Sequence, residues 1–161
     1  DIGIIKLSPD GSTRLYATYI GGSNQEQPHS LVADEQGNVV IAGRTNSGNS
    51  YPTLGPQRSG SGFDIVVTKL NATGTALIGS MRIGGSQNDG VNITTARAGS
   101  NSLERNYGDD GRSEVILDGG GNIYVTSSTQ SIDFPTPGGF KTSIGGTQDA
   151  VVIKLNPNAN T

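Results

Sequence analysis

The sequence predicts an all-β protein built from repeated antiparallel units, and three observations support this fold class. Hydrophobic residues make up only 32% of the chain, yet they gather in short runs rich in β-branched residues, which is typical of short buried strands. The 161 residues include 25 glycines, which favours many tight turns. Several segments also recur along the chain, and such recurrence is typical of repeat architectures.

The strongest recurrence is an apolar segment that begins with Asp and ends with Lys-Leu, and it occurs three times. Three other segments occur twice: an Ile-Gly-Gly-Ser strand end, an apolar stretch around an Asp-x-x-Gly-Asn turn, and an aromatic-Pro-Thr loop. The repeated segments are Asp1–Leu7, Asp64–Leu70 and Asp149–Leu155; Tyr19–Ser23 and Arg82–Ser86; Val32–Ile41 and Ile116–Val125; Tyr51–Thr53 and Phe134–Thr136.

The recurring turns indicate β-hairpins. An Asp at the start of such a turn can accept hydrogen bonds from the backbone N–H groups of the turn, and a glycine three residues later can take a positive φ. Ala159 stands where the last turn would have its glycine, so we expect that turn to be frayed. The residues predicted to form turns are Asp34 and Gly37, Asp118 and Gly121, and Gly11 and Gly74.

One full repeat unit contains four strands, and this predicts the four-stranded antiparallel blade of a β-propeller. The third strand of the unit is apolar on both faces, which fits a sheet packed between two neighbouring sheets. We expect strands near residues 2–7, 14–20, 30–34, 38–44, 64–70, 76–83, 113–118, 122–128 and 149–155.

The predicted strands form an incomplete ring of about two and a quarter blades. Residues 1–23 would hold the outer strands of a first blade, residues 24–86 a complete second blade, and residues 87–161 a third blade that lacks its last strand. Propellers usually close with about four to eight blades of four strands, so we expect this sequence to be an excerpt of a longer chain.

The repeats resemble the bacterial β-propeller repeats called SBBP, and their Asp-x-x-Gly-Asn hairpins are similar to NHL repeats. The resemblance rests on the four recurring segments described above and covers nearly the whole chain. It implies a secreted or cell-surface bacterial protein, often large and modular, and it supplies no catalytic residues.

One connection departs from the repeat. The segment between Gly85 and Asp118 is much longer than its counterpart between Gly22 and Asp34, which places an insertion at about residues 86–106. Loops on a rigid scaffold often carry recognition, whereas an insertion can also cover a sheet edge or be a tolerated excursion. The candidate partner-binding residues, all of types that anchor interfaces, are Arg97, Arg105 and Tyr107.

Few residues could carry catalysis or bind a metal. The chain has no cysteine and a single histidine, His29, which we place in a loop leading to an inner strand. Asp109 and Asp110 could act as an acid/base pair or as cation ligands, but adjacent carboxylates on a strand point to opposite faces, and a solvated turn is the simpler interpretation. We therefore expect no enzymatic activity, no cofactor and no metal site.

Charge and hydropathy exclude two further functions. The 14 acidic and 11 basic residues give a net charge of −3, and the basic residues are scattered, which argues against nucleic-acid binding. No apolar run approaches the roughly 18 residues that cross a bilayer, so we expect no membrane insertion.

The recurrent lysines allow two interpretations. They could form a basic ring that binds an anionic polymer. We favour the alternative, in which each lysine covers apolar surface with its stem and pairs near the aspartate of its own strand. The lysines are Lys6, Lys69 and Lys154, and the aspartates are Asp1, Asp64 and Asp149.

Together these observations predict a noncatalytic binding or structural module of a secreted or cell-surface protein. Its partner would be a protein or glycan surface that the sequence does not identify, or further blades from a parent chain or neighbouring copies. Two alternatives stay open: part of a propeller enzyme that acts on polysaccharide, and a building block of an extracellular fibre or sheet.

Overall fold

The computed structural model describes residues 1–57, 60–91 and 114–161. Nine strands and one short 3-10 helix, Gly48–Ser50, are found in these ranges, so the all-β prediction is confirmed. The strands are β1 (Ile2–Leu7), β2 (Arg14–Ile20), β3 (Glu26–Ala33), β4 (Val39–Thr45), β5 (Asp64–Leu70), β6 (Leu77–Ile83), β7 (Glu114–Leu117), β8 (Ile123–Thr129) and β9 (Asp149–Leu155).

The strands form three antiparallel sheets. The first sheet contains β1 and β2, the middle sheet contains β3, β4, β5 and β6 in that order, and the third sheet contains β7, β8 and β9 in that order. Within each sheet every strand pairs with the one that follows it in the chain, which is the arrangement that successive hairpins produce.

β3 begins earlier than the sequence predicts. The expected strand began at residue 30, because Pro28 cannot donate a backbone hydrogen bond to a ladder. In the structure the strand begins at Glu26, and the pairing register with β4 shifts between Pro28 and Ser30. His29 is the extra residue at this shift, so it lies within the strand at a bulge, and its predicted position in a loop is wrong.

The middle sheet is packed between the other two sheets. All seven residues of β5 are buried, as expected for a third strand that is apolar on both faces. Val66 and Leu70 face the first sheet and pack in one core with Ile2. Ile65 and Val67 face the third sheet and share a second core with β7, β8 and β9. Alternate residues of a single strand therefore belong to two different hydrophobic cores.

The turns have the conformation that their glycines predict. Gly37 and Gly121 both have a φ of 79°, and Gly11 and Gly74 have φ values of 73° and 68°. Asp34 Oδ1 accepts hydrogen bonds from the backbone N–H groups of Gln36 and Asn38 at 3.1 and 2.8 Å. Asp118 makes the equivalent pair of hydrogen bonds in the turn between β7 and β8.

The expectation that the last turn is frayed is wrong. Ala159 takes a positive φ of 52° and is fully buried. Its N–H donates to the carbonyl oxygen of Asn156 at 3.0 Å, and the Asn156 side chain accepts hydrogen bonds from the N–H groups of Asn158 and Asn160. Burial of the alanine methyl group and these hydrogen bonds offset the roughly 1–2 kcal/mol cost of a left-handed conformation at a residue with a Cβ.

Replacing Gly37 with valine should lower the free energy of unfolding by about 1 kcal/mol or more, because a β-branched residue does not easily hold a positive φ. The space at this position is adequate, since a Cβ would lie 3.6 Å from both Ala72 Cβ and Lys6 Nζ. Denaturant unfolding of Gly37→Val and of the control Gln36→Ala measures the effect. Equal unfolding midpoints for the two variants would contradict the turn assignment.

Candidate functional site

The three sheets have short turns at one end and the other connections between strands at the opposite end. We call these the turn end and the loop end. Both ends place polar side chains where neighbouring sheets meet, and these contacts are the candidate functional sites of the described residues. The short turns cover residues 8–13, 34–38, 71–76, 118–122 and 156–161. The connections at the loop end follow Ile20, Thr45, Ile83 and Thr129; the first contains only residues 21–25, and the other three are longer.

At the loop end, Glu26 is the central polar group between the first and middle sheets. Thr45 Oγ1 donates a hydrogen bond to Glu26 Oε1 at 2.7 Å, and Ser47 Oγ donates to the same oxygen. The backbone N–H of Asn24, in the chain that leaves the first sheet, donates to Ser47 Oγ at 2.8 Å. Burial opposes the ionisation of Glu26, but the hydrogen bonds from Ser47 and Thr45 outweigh it and lower its pKa.

The same arrangement recurs between the middle and third sheets, with Asp89 in the central place. Its carboxylate accepts hydrogen bonds from the Gly85 N–H at 2.7 Å, from Ser131 Oγ at 2.9 Å and from Thr129 Oγ1. Asp89 is fully buried, and this burial raises its pKa despite the three donors. Both junctions therefore hold a carboxylate between a Gly-Gly strand end and a Thr-x-Ser segment.

These carboxylates were not predicted from the sequence, although a signal was present. Thr45-x-Ser47 and Thr129-x-Ser131 follow equivalent strands, β4 and β8, and each hydroxyl pair binds one carboxylate. Alignment of the two repeats over these three residues would have marked the positions. The carboxylates differ in side-chain length, but they end two similar segments, Gly-Gly-Ser-Asn-Gln-Glu at 21–26 and Gly-Gly-Ser-Gln-Asn-Asp at 84–89, so their repeat was visible in the sequence.

The second junction contains a further buried carboxylate, Asp64, close to Asp89. A Cβ on Gly84 would overlap Asp64 Oδ1 and lie 2.7 Å from Asp89 Oδ2, so only glycine fits between the two carboxylates. Arg82 Nε lies 3.4 Å from Asp64 Oδ2. Burial raises the pKa of Asp64 to about 6, the charge of Asp89 adds to this rise, and Arg82 opposes it. This pair can take up a proton in mildly acidic solution.

At the turn end, two of the three recurrent lysines connect neighbouring sheets, and the pairing that we expected is wrong. Lys6 Nζ donates to the carbonyl oxygen of Ala72 at 3.1 Å. Lys69 Nζ reaches the third sheet in the same way, at 2.8 Å from the carbonyl oxygen of Pro157, and also lies 2.9 Å from Asp34 Oδ2. Lys154 Nζ lies 5.3 Å from the centre of the Tyr124 ring.

The expected pairs fail for a geometric reason. In each repeat the lysine and the aspartate lie at opposite ends of one strand, and five residues of extended chain separate them by about 16 Å. Two of the aspartates lie beside other basic residues. Asp64 lies beside Arg82, and Asp149 Oδ2 lies 2.6 Å from Lys141 Nζ. The aspartates therefore lie at the loop end and the lysines at the turn end.

His29 lies near the first strand of the third sheet. The next residue, Ser30, donates a hydrogen bond from Oγ to Glu114 Oε2 at 3.2 Å and accepts one from the Val115 N–H. Burial lowers the pKa of His29 to about 4, and the charge of Arg44 adds to this effect. The imidazole is therefore neutral at pH 7.

A cleft of about 530 Å³ opens at the loop end beside the second junction. Asp133 is the one ionisable residue among the described residues that line it, and it already accepts hydrogen bonds from the N–H and Oγ of Ser86 at 2.8 and 2.9 Å. The lining residues are Gly60, Ser61, Gly84, Gly85, Ser86, Asp133 and Pro135.

The remaining site predictions cannot be placed. The candidate partner-binding residues Arg97, Arg105 and Tyr107 lie outside the described residues, as do Asp109 and Asp110. In the parts of the chain that the structure describes, no group of three or more His, Cys, Asp or Glu side chains could hold a metal ion. In the same ranges, no helix is long and apolar enough to cross a membrane.

The three antiparallel sheets and their repeated junctions define an all-β protein. Residues 15–52 match the family model of SBBP, the beta-propeller repeat, which confirms the resemblance seen in the sequence. The matched range contains β3, β4 and all of β2 except Arg14, together with Glu26, Thr45 and Ser47, so it includes the first junction. A comparison with curated proteins finds no match.

Proposed function

We propose that this chain is a noncatalytic β-propeller module of a secreted or cell-surface bacterial protein, with a binding or structural role. In this proposal the middle sheet is one complete blade, and the first and third sheets are parts of the blades on either side. The SBBP match over residues 15–52 supports the repeat class.

One observation carries the proposal: the polar groups at the two loop-end junctions are engaged in holding the sheets together. Asp89 accepts hydrogen bonds from the hydroxyl groups of Thr129 and Ser131 and from the N–H of Gly85, which follows the last strand of the middle sheet. Ser47 Oγ donates to Glu26 and accepts from the N–H of Asn24, in the chain that leaves the first sheet. Groups that are buried and hydrogen-bonded in this way stabilise an arrangement of sheets. They give the module a rigid scaffold on which its loops can act.

We place partner recognition on the long connection between the second and third sheets. The described chain stops at Val91 before this connection and resumes at Glu114, which pairs with Thr126 in the middle of β8. Loops on rigid scaffolds commonly carry binding, and the residue types of Arg97, Arg105 and Tyr107 suit an interface. The partner in this proposal is a protein or glycan at a cell surface.

The test is a screen of the protein against glycans and surface proteins for both binding and turnover. Binding without turnover supports the proposal. A deletion variant that joins Val91 directly to Tyr107 keeps Asp89 and its hydrogen bonds, so it should lose binding while its circular dichroism spectrum and melting temperature stay unchanged. Unchanged affinity in the folded deletion variant would reject the recognition role, and turnover that Asp109 or Asp110 substitution abolishes would reject the noncatalytic role.

A further inference from the structure

Residues 86–90 link the middle sheet to the third sheet, and we call them the latch segment. The Asp89 N–H donates a hydrogen bond at 2.6 Å to the carbonyl oxygen of Phe63, the residue that precedes β5. On the other side, the carbonyl oxygen of Asn88 accepts a hydrogen bond at 3.0 Å from the N–H of Gln130, the residue that follows β8. The latch segment is therefore hydrogen-bonded to the chain beside both sheets.

Two buried carboxylates meet at the latch segment. Asp89 lies within it, and Asp64 directly follows Phe63 and is only 2% exposed. A Cβ on Gly84 would overlap Asp64 Oδ1 and lie 2.7 Å from Asp89 Oδ2, so these two oxygens flank a single carbon position. Two negative charges this close repel each other strongly when both are buried, because the protein interior screens charge less than water does. The repulsion acts to separate the latch segment from β5.

Two arginines lie near this pair among the described residues. Arg82 on β6 places its Nε 3.4 Å from Asp64 Oδ2. Arg44 on β4 packs against the latch segment, since a Cβ on Gly90 would lie 3.0 Å from Arg44 Cβ. The guanidinium carbon of Arg44 lies 4.1 Å from the centre of the Phe63 ring. Arg82 therefore offsets part of the repulsion from the side of Asp64.

The other titratable groups around the pair lie on β3 and in the connection after β8. Burial raises the pKa of Asp89, and the negative charge of Asp133, which follows β8, adds to this rise. On β3, His29 is neutral at pH 7, and Glu26 lies in the first junction, where hydroxyl groups bind it. The described groups around the pair thus include three carboxylates and two arginines, and one added proton balances their charge.

We propose that the latch segment is held more firmly in mildly acidic solution, where the Asp64–Asp89 pair carries a proton, than at neutral pH. The latch segment leads into the long connection between the middle and third sheets, before which the described chain ends at Val91. Acidic solution therefore fixes the start of this connection, and neutral solution loosens it. The proposal holds whether or not the connection binds a partner.

The pKa of Asp64 has the direction that this proposal requires. Burial raises it from the ordinary value of 3.8 to about 6. A carboxyl group whose pKa rises on folding stabilises the folded state at low pH, and this contribution is lost as the pH rises through about 6. In the first junction burial also opposes the ionisation of Glu26, but its hydrogen bonds outweigh burial and lower its pKa. The second junction should therefore respond to pH between 5 and 7.5, and the first should not.

Hydrogen exchange measured by NMR at pH 5 and pH 7.5 tests the proposal on two matched backbone amides. The Gln130 N–H binds the latch segment, and the Asn46 N–H holds the same place in the first junction, where it donates to the Gln25 carbonyl oxygen at 3.1 Å. Protection is each exchange rate relative to that of an unfolded amide at the same pH. Between pH 5 and pH 7.5 the protection of Gln130 should fall about tenfold, as follows from the rise of the Asp64 pKa from 3.8 to about 6. The protection of Asn46 should stay constant.

Two variants assign the effect to the buried pair. Asp64→Asn removes one charge and retains an oxygen beside Arg82, so the protection of Gln130 should become independent of pH in this variant. The matched control is Asp133→Asn, which neutralises an exposed carboxylate at the same junction and should keep the wild-type fall. A merely structural role of Asp64 would instead lower the protection at both pH values and leave the fall in place, and that result overturns the proposal.

Two measurements on the wild-type chain need no substitution. Equal protection of Gln130 at pH 5 and pH 7.5 overturns the proposal. The NMR chemical shift of the Asp64 carboxyl carbon should titrate at about pH 6. Titration at about pH 4, the ordinary range of an aspartate, overturns the proposal as well.

Discussion

Asp89→Ala should lower the free energy of unfolding by about 3 kcal/mol, because the substitution removes the acceptor from several buried donors at once. The Gly85 N–H and the hydroxyl groups of Thr129 and Ser131 all donate to this carboxylate. Relief of the desolvation that raises the pKa of Asp89 offsets part of the loss. Denaturant unfolding at pH 7 measures the change.

Two further variants separate the junction from a general effect of charge. Asp133→Ala removes an exposed carboxylate that binds Ser86 at the same end of the protein, and its effect on the free energy of unfolding should be much smaller. Asp89→Asn keeps an oxygen that can accept from Gly85, so it should recover part of the stability lost in Asp89→Ala. Equal losses of stability in Asp89→Ala and Asp133→Ala would show that the buried carboxylate contributes no more to stability than the exposed one.

Between pH 4 and pH 7, Asp64→Asn and His29→Gln should change the pH dependence of stability in opposite directions. The pKa of Asp64 rises from 3.8 to about 6 on folding, so its contribution is present at low pH and is lost as the pH rises through about 6. The pKa of His29 falls from 6.5 to about 4, so the folded state gains stability as the pH rises from about 4 to 6.5. In the wild-type chain the two contributions partly cancel.

Removing either group should reveal the pH dependence of stability that the other group contributes. The Asp64→Asn variant should gain stability relative to the wild-type chain as the pH rises over this range, and the His29→Gln variant should lose it, each by about 2 kcal/mol. Asparagine retains an oxygen that can accept from Arg82, which lies beside residue 64. Urea unfolding at pH 4, 5, 6 and 7 gives the slopes, and parallel slopes in the two variants would contradict both assignments.

Most of the fold could be predicted from the sequence because its signals are local. Short β-branched runs predict strands, and the turn glycines predict hairpins, since a positive φ is a property of one residue and its neighbours. The burial of β5 on both faces was predictable for the same reason, because its sequence lacks the alternation of a half-exposed strand. The predicted start of β3 failed where Pro28, which normally ends a strand, lies beside a bulge.

The junctions could not be predicted in this way because their contacts join residues that are distant in the sequence. Thr129 binds Asp89 across 40 positions, and Lys69 binds the Pro157 carbonyl across 88 positions. The lysines were assigned to the aspartates of their own strands because the two recur together. Recurrence within one segment shows that both residues have a constant role, but it does not show that they touch.

The division of β5 between two cores has a consequence for how the protein gains and loses structure. Val66 and Val67 are neighbours in the chain, yet they pack against opposite sheets, so the middle sheet couples two sheets that share no core with each other. In such a row, the stability of each sheet depends on its own interactions and on its interfaces with the nearest sheets. Loosening either neighbouring sheet deprives the middle sheet of one of its two packed faces, so the stability of the middle sheet depends on both neighbours.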